Sequence, residues 1–112
     1  MNLDQTFTAL ADPTRRGVID LLRKTPMRAG DLAEALAASP PAMSRHLRVL
    51  RSAGLVQVGN DGDARERIYR LRPEPFTQLH DWLEHVEAFW TVQLAAFKAH
   101  VDGRGSIERR KR

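Results

Sequence analysis

The residues best equipped for chemistry in this sequence are Ser39, Pro41, Ser44, Arg45, His46 and Arg48, followed after a turn-rich stretch by Arg65 and Arg67. Guanidinium and hydroxyl groups at this density donate hydrogen bonds to phosphate oxygens and to the acceptor-rich edges of bases, so the chemistry offered is recognition of a polyanion. The same residues offer no bond-breaking chemistry. Ser44 and His46 stand two apart on what reads as a helix and point in different directions, so they make no nucleophile and base pair. The chain also has no glycine-rich phosphate loop, and it is read as a binding protein and not as an enzyme.

These side chains need a scaffold, and the stretch from 27 to 55 supplies one. Leu32, Ala33 and Leu36 repeat at helical spacing after Gly30, read as the N-cap, and the run stops at Ala37-Ala38-Ser39. A second helix is predicted over residues 40–53. Ser39 caps it, Pro40 occupies the first position where its missing N–H costs nothing, and Gly54 supplies a left-handed stop. Met43, Leu47 and Leu50 form its dry stripe, leaving Ser44, Arg45, Arg48 and Arg51 to other faces. Two helices joined by about three residues, the second short and basic, are what a helix-turn-helix needs to lay one helix in a DNA major groove. Within that helix, base reading falls to Ser39, Pro41, Ser44 and Arg45 at its exposed start, and Arg48 to phosphate. His46 is read as a helix-packing or phosphate-bonding residue.

The flanking segments extend this scheme. Leu3, Phe7 and Leu10 predict a short first helix, and Asp12-Pro13 begins a second that runs to about Lys24 with Val18, Ile19, Leu21 and Leu22 on its apolar face. Arg15 and Arg16 are candidates for ion pairs with neighbouring acids or for phosphate contact. After Gly54, residues 55–58 and 67–71 are β-rich runs separated by a loop of Gly, Asn and Asp, and they predict a hairpin. A hairpin that directly follows such a helix reads as a wing, with Arg65 and Arg67 reaching the backbone or minor groove. Residues 74–101 predict one long helix in which Phe76, Leu79, Leu83, Val86, Trp90, Leu94, Phe97 and Val101 recur at alternating spacings of three and four. That stripe is longer than one small domain covers, so a second copy of the chain is expected over Val86, Trp90, Leu94, Phe97 and Val101, together with Leu3, Phe7 and Leu10 of the first helix.

Charge agrees with this division. Residues 39–72 carry seven cations and three anions, whereas 73–101 carry one cation and four anions, which places the polyanion and the partner copy on different parts of the chain. Residues 102–112 hold five more cations with two anions and read as a disordered basic tail, leaving 1–101 as the domain. With no cysteine, disulfides and thiolate metal sites are excluded. No apolar run approaches the roughly 20 residues of a membrane span, so no membrane is expected and the cytoplasm is.

Taken together, ALADPTRRGVIDLL at 9–22, DLAEAL at 31–36 and SRHLRVLRSAGLV at 44–56 resemble the winged-helix repressors of the arsenical-resistance (ArsR) family, and the resemblance covers nearly the whole chain. It implies a mainly α fold with a two-stranded β wing in the order α-α-α-α-β-β-α, dimerised through its first and last helices. Relatives that sense metal through the last helix use Asp-x-His and a later His-x-x-Glu. Here Gln78-x-His80 leads to Thr91 and Leu94, so His80, Glu84, Glu87 and His85 are read as exposed polar residues and neither metal nor cofactor is expected. The aromatic DWLEHVEAFW at 81–90 resembles a metal-independent branch, from which no effector follows. The function implied is a dimeric repressor that occludes a pseudo-palindromic operator in double-stranded DNA. Two alternatives stay open at this point: a metal-responsive repressor of the same fold, and a dimeric helical module that binds protein or RNA.

Overall fold

The computed structural model describes residues 2–60 and 67–110, and the side chains of 2–59, 67–103. Elements follow in the order α1 (Leu3–Leu10), α2 (Pro13–Leu22), β1 (Met27–Arg28), α3 (Ala29–Ala35), α4 (Pro40–Ser52), β2 (Val56–Asn60), β3 (Arg67–Leu71) and α5 (Pro73–Arg110). The expected helices and wing are all present. One strand was not foreseen: Met27–Arg28 pairs antiparallel with β3, so the sheet has three strands in the order β1-β3-β2. A two-residue strand has no period of its own, and it exists here because β3 offers its free edge.

Helix ends are set by local chemistry. Asn2 Oδ1 accepts from the Asp4 N–H at 2.7 Å to start α1, and Asp12 Oδ1 accepts from the Arg15 N–H at 3.0 Å to start α2. Ser39 Oγ accepts from the Ala42 N–H at 3.3 Å to start α4 behind Pro40. These bonds satisfy donors that the first helical turn leaves without partners. Gly30 is not a cap: α3 begins two residues earlier than that reading places it, at Ala29 behind Arg28, which makes no side-chain cap bond. The reason is β1, which fixes the backbone of residue 28 as extended and lets the helix start directly from the strand.

Both helices of the helix-turn-helix end the same way. At α4, Leu55 N–H bonds Leu50 C=O and Gly54 N–H bonds Arg51 C=O, with Gly54 at φ 78°. At α3, Ala38 N–H bonds Ala33 C=O and Ala37 N–H bonds Glu34 C=O, with Ala37 at φ 52°. This paired closure needs one left-handed residue, which glycine adopts freely and alanine only under strain.

The chain divides into two compact units, residues 1–79 and 80–112. In the first, Val18, Leu22, Leu32, Met43, Leu47, Leu50, Leu55, Val56 and Tyr69 form a buried core, with Phe76 packed against it. Leu47 and Leu50 of α4 are therefore fixed from behind, which holds the opposite face of that helix rigid in solvent. Deleting a side chain so placed costs about 2–5 kcal/mol. The hairpin is anchored by the register Val56↔Leu71, Val58↔Tyr69 and Asn60↔Arg67.

The second unit is the continuation of α5. The helix was expected to end near residue 101 ahead of a disordered tail over 102–112; it instead runs to Arg110. Gly103 and Gly105 each cost a helix only about 1 kcal/mol relative to alanine, whereas a proline would stop it. Trp82, Leu83, Phe89, Trp90, Val92, Leu94, Phe97 and Val101 are all exposed along it. None of the helices searched among the described residues is long and apolar enough to cross a membrane.

Candidate nucleic-acid interface

The site is built from the outer faces of α4 and the wing. Ser39, Pro41, Ser44, Arg45 and Arg48 are all exposed, as are Arg51 and Ser52 at the far end of the helix. Their exposure follows from the pattern of burial: with Met43, Leu47 and Leu50 turned inward, positions 41, 44 and 45 face solvent, while Arg48, also exposed, borders a cavity of about 390 Å³ with Asp4, Gln5 and Thr8 of α1. Ser39 uses its hydroxyl oxygen as the α4 cap, which leaves its O–H free to donate. Pro40 and Pro41 bring no donors to the helix start, so apolar contact and shape weigh more there than hydrogen bonding.

His46 sits differently from its neighbours. It is half-buried, with Nδ1 3.4 Å from Arg15 Nη1. Arg15 also donates from Nε to the Ala9 carbonyl at 2.6 Å and from Nη2 to the Thr8 carbonyl at 3.2 Å. Arg16 donates to the Leu10 carbonyl at 2.8 Å. The two arginines thus satisfy the last carbonyls of α1 in place of acids or phosphate, a favoured placement for cations at a helix C-terminus. Through Arg15 and His46, α1, α2 and α4 are tied together at the base of the recognition face. Sequence reasoning left Arg15 between ion pair and phosphate; an i to i+6 reach across a helix junction has no periodic signature.

Asp12 lies in the same junction. Its carboxyl is held below the ordinary carboxylate range, first by the backbone hydrogen bond from Arg15, with smaller help from the His46 ring and the Thr14 N–H, while desolvation opposes the shift.

On the wing, Arg67 is exposed at the start of β3, opposite Asn60 of β2. It lines a cavity of about 580 Å³ with Val58, Gly59 and Arg51, so the wing base and the end of α4 border one space. Arg65 lies outside the described residues. On α5, His80 Nε2 meets Glu84 Oε1 at 3.0 Å and His85 Nδ1 meets the Asp81 carbonyl at 2.7 Å, both exposed and local to the helix. Among the described residues, no group of three or more His, Asp or Glu is placed to hold a metal ion.

Comparison with known proteins agrees with this geometry. Residues 12–58 match the family described as bacterial regulatory protein, arsR family. The chain is 37% identical over 102 residues to the HTH-type transcriptional regulator Rv2034 of Mycobacterium tuberculosis, covering 91% of each chain. It is 43% identical over 54 residues to the transcriptional repressor SdpR of Bacillus subtilis, covering 48% of this chain and 60% of that one. Among solved structures, an ArsR-like transcriptional regulator from Rhodococcus sp. RHA1 superposes with a TM-score of 0.75 at 33% identity, covering 90% of this chain and 91% of that one. The homodimeric winged helix-turn-helix DNA-binding domain Mb0332 from Mycobacterium bovis superposes with a TM-score of 0.60 at 28% identity, covering 77% and 81%.

Proposed function

The chain belongs to the arsR family of bacterial regulatory proteins, and from that premise we propose that it is a cytoplasmic homodimer that represses transcription by occluding a pseudo-palindromic operator. The observation that carries this reading is α4: capped at both ends, fixed from behind by Met43, Leu47 and Leu50, and presenting Ser44, Arg45 and Arg48 to solvent. Ser39, Pro41, Ser44 and Arg45 read base edges and thymine methyls, and Arg48 holds phosphate. Arg65 and Arg67 bring the wing onto the flanking backbone, and His46, through Arg15, keeps α4 seated on the helices behind it. Val86, Trp90, Leu94, Phe97 and Val101 on α5, with Leu3, Phe7 and Leu10 on α1, meet the same residues of a second copy. The Mycobacterium bovis domain, itself homodimeric, supports the pairing of two copies.

A two-fold axis places two recognition helices in successive major grooves, about 34 Å apart, so half-sites are centred about 10 bp apart or a multiple of that. The test is selection of bound duplexes from a random pool followed by footprinting. A recovered palindrome with that spacing is the expected result. Retention of every duplex equally would reduce the protein to a general polyanion binder and sink the repressor reading.

A further inference from the structure

Ser44, Arg48 and Arg51 are separated by four and three residues, so they lie on one face of α4, one above the next. That face ends beside the wing: Arg51, in the last turn of α4, lines the same cavity as Val58 and Gly59 of β2 and Arg67 of β3. Among the described residues, neither guanidinium has an ion-pair or hydrogen-bond partner. Among the described residues, Arg67 also borders a second cavity with Asp31, whose carboxylate pairs with Arg28 at 3.3 Å. Two cations facing one polar space repel each other in the free protein. An anion between them turns that repulsion into two charge-assisted hydrogen bonds.

We propose that Arg51 and Arg67 form a single phosphate seat, in which one backbone phosphate of the bound duplex is gripped from the recognition helix and from the wing at once. The inference rests on the operator-binding reading and adds to it a residue, Arg51, and a shared ligand, one phosphodiester. In the bound complex the phosphate adds a link between the wing and α4 beyond the packing of Val56 and Tyr69 in the core. Because it reads no base, the seat contributes equally to all sequences and its contribution falls with salt.

The experiment uses the full chain and the duplex it selects from a random pool, alongside an unrelated duplex. Arg51→Ala and Arg67→Ala should each weaken both duplexes about tenfold and lower the salt slope by about one unit per half-site. The double variant should lose much less than the product of the two, because either single change already opens the seat. Arg51→Lys should retain the salt slope. In a scan with single methylphosphonate linkages, one position per half-site should weaken the parent and have no effect on either alanine variant. Thermal melting of Arg51→Ala without DNA should show no loss of fold. Unchanged binding by Arg51→Ala, or silencing of the two variants at different phosphates, overturns the seat while leaving the repressor reading intact. A parent chain that selects no duplex overturns both.

Discussion

Arg45 and Asp12 show how far a single residue can be argued from its neighbours. Arg45 is exposed one turn into α4, on the side turned away from Leu47 and Leu50, where a bidentate guanidinium can reach a guanine edge. Arg45→Ala should cost about 1–3 kcal/mol on the operator and relax preference at one position in each half-site. A panel of single-base operator variants measures this, and a uniform loss across the panel would turn Arg45 into a phosphate contact. Asp12 makes a different prediction. Its folded pKa is depressed, chiefly by the Arg15 N–H, so its contribution to stability is complete above the ordinary carboxylate value of about 3.9 and is lost as pH falls through the lower folded value. Asp12→Asn keeps the cap but does not titrate. Thermal melts should show the parent and this variant diverging least below pH 4 and most at neutral pH, with the parent more stable there; a constant difference across pH would remove the charge from the account.

At the scale of elements, the sequence was legible wherever a local signal sets the outcome. Asp12-Pro13, Ser39-Pro40 and Gly54 are each a cap that can be read without any tertiary knowledge, and the structure puts helix ends at all three. What escaped reading depends on partners distant in sequence. β1 comes from pairing with Ile68 and Tyr69, about forty residues on. The convergence of Arg51 and Arg67 needs the hairpin to fold back on α4. The turn between α3 and α4 was legible at Ala37-Ala38-Ser39, but its left-handed residue was not, because it is Ala37 and not the glycine that would have announced it. That substitution pattern is testable. Ala37→Gly relieves the left-handed strain but gives the unfolded chain more freedom, and the strain of about 1–2 kcal/mol is the larger effect. We expect stabilisation of about 0.5–1 kcal/mol in denaturant unfolding. A loss of stability would mean that the alanine methyl contributes packing that outweighs the strain.

For the whole molecule the question is what α5 is for. It runs from Pro73 to Arg110, about 57 Å at 1.5 Å per residue, and within the second unit its large apolar side chains are left in water, Leu94 57% exposed and Phe97 66%. Isolated apolar residues on a surface are ordinary; a continuous stripe with three-four spacing is what a helix presents to another helix. Acidic residues 81, 84 and 87 on the same element make DNA a poor partner for it. A second copy of α5 meets both conditions, since a two-fold axis places each stripe against its own equivalent. Leu94→Asp or Phe97→Asp puts a carboxylate into that seam, where an unpaired buried charge costs several kcal/mol. Sedimentation should show these variants as monomers, and operator affinity should fall with them, because one protomer holds only one half-site. Ala99→Asp, which adds the same charge on the opposite face of the helix, should remain dimeric and bind normally. If all three variants stay dimeric, the interface lies elsewhere on the chain, and the exposed stripe of α5 must serve a different partner.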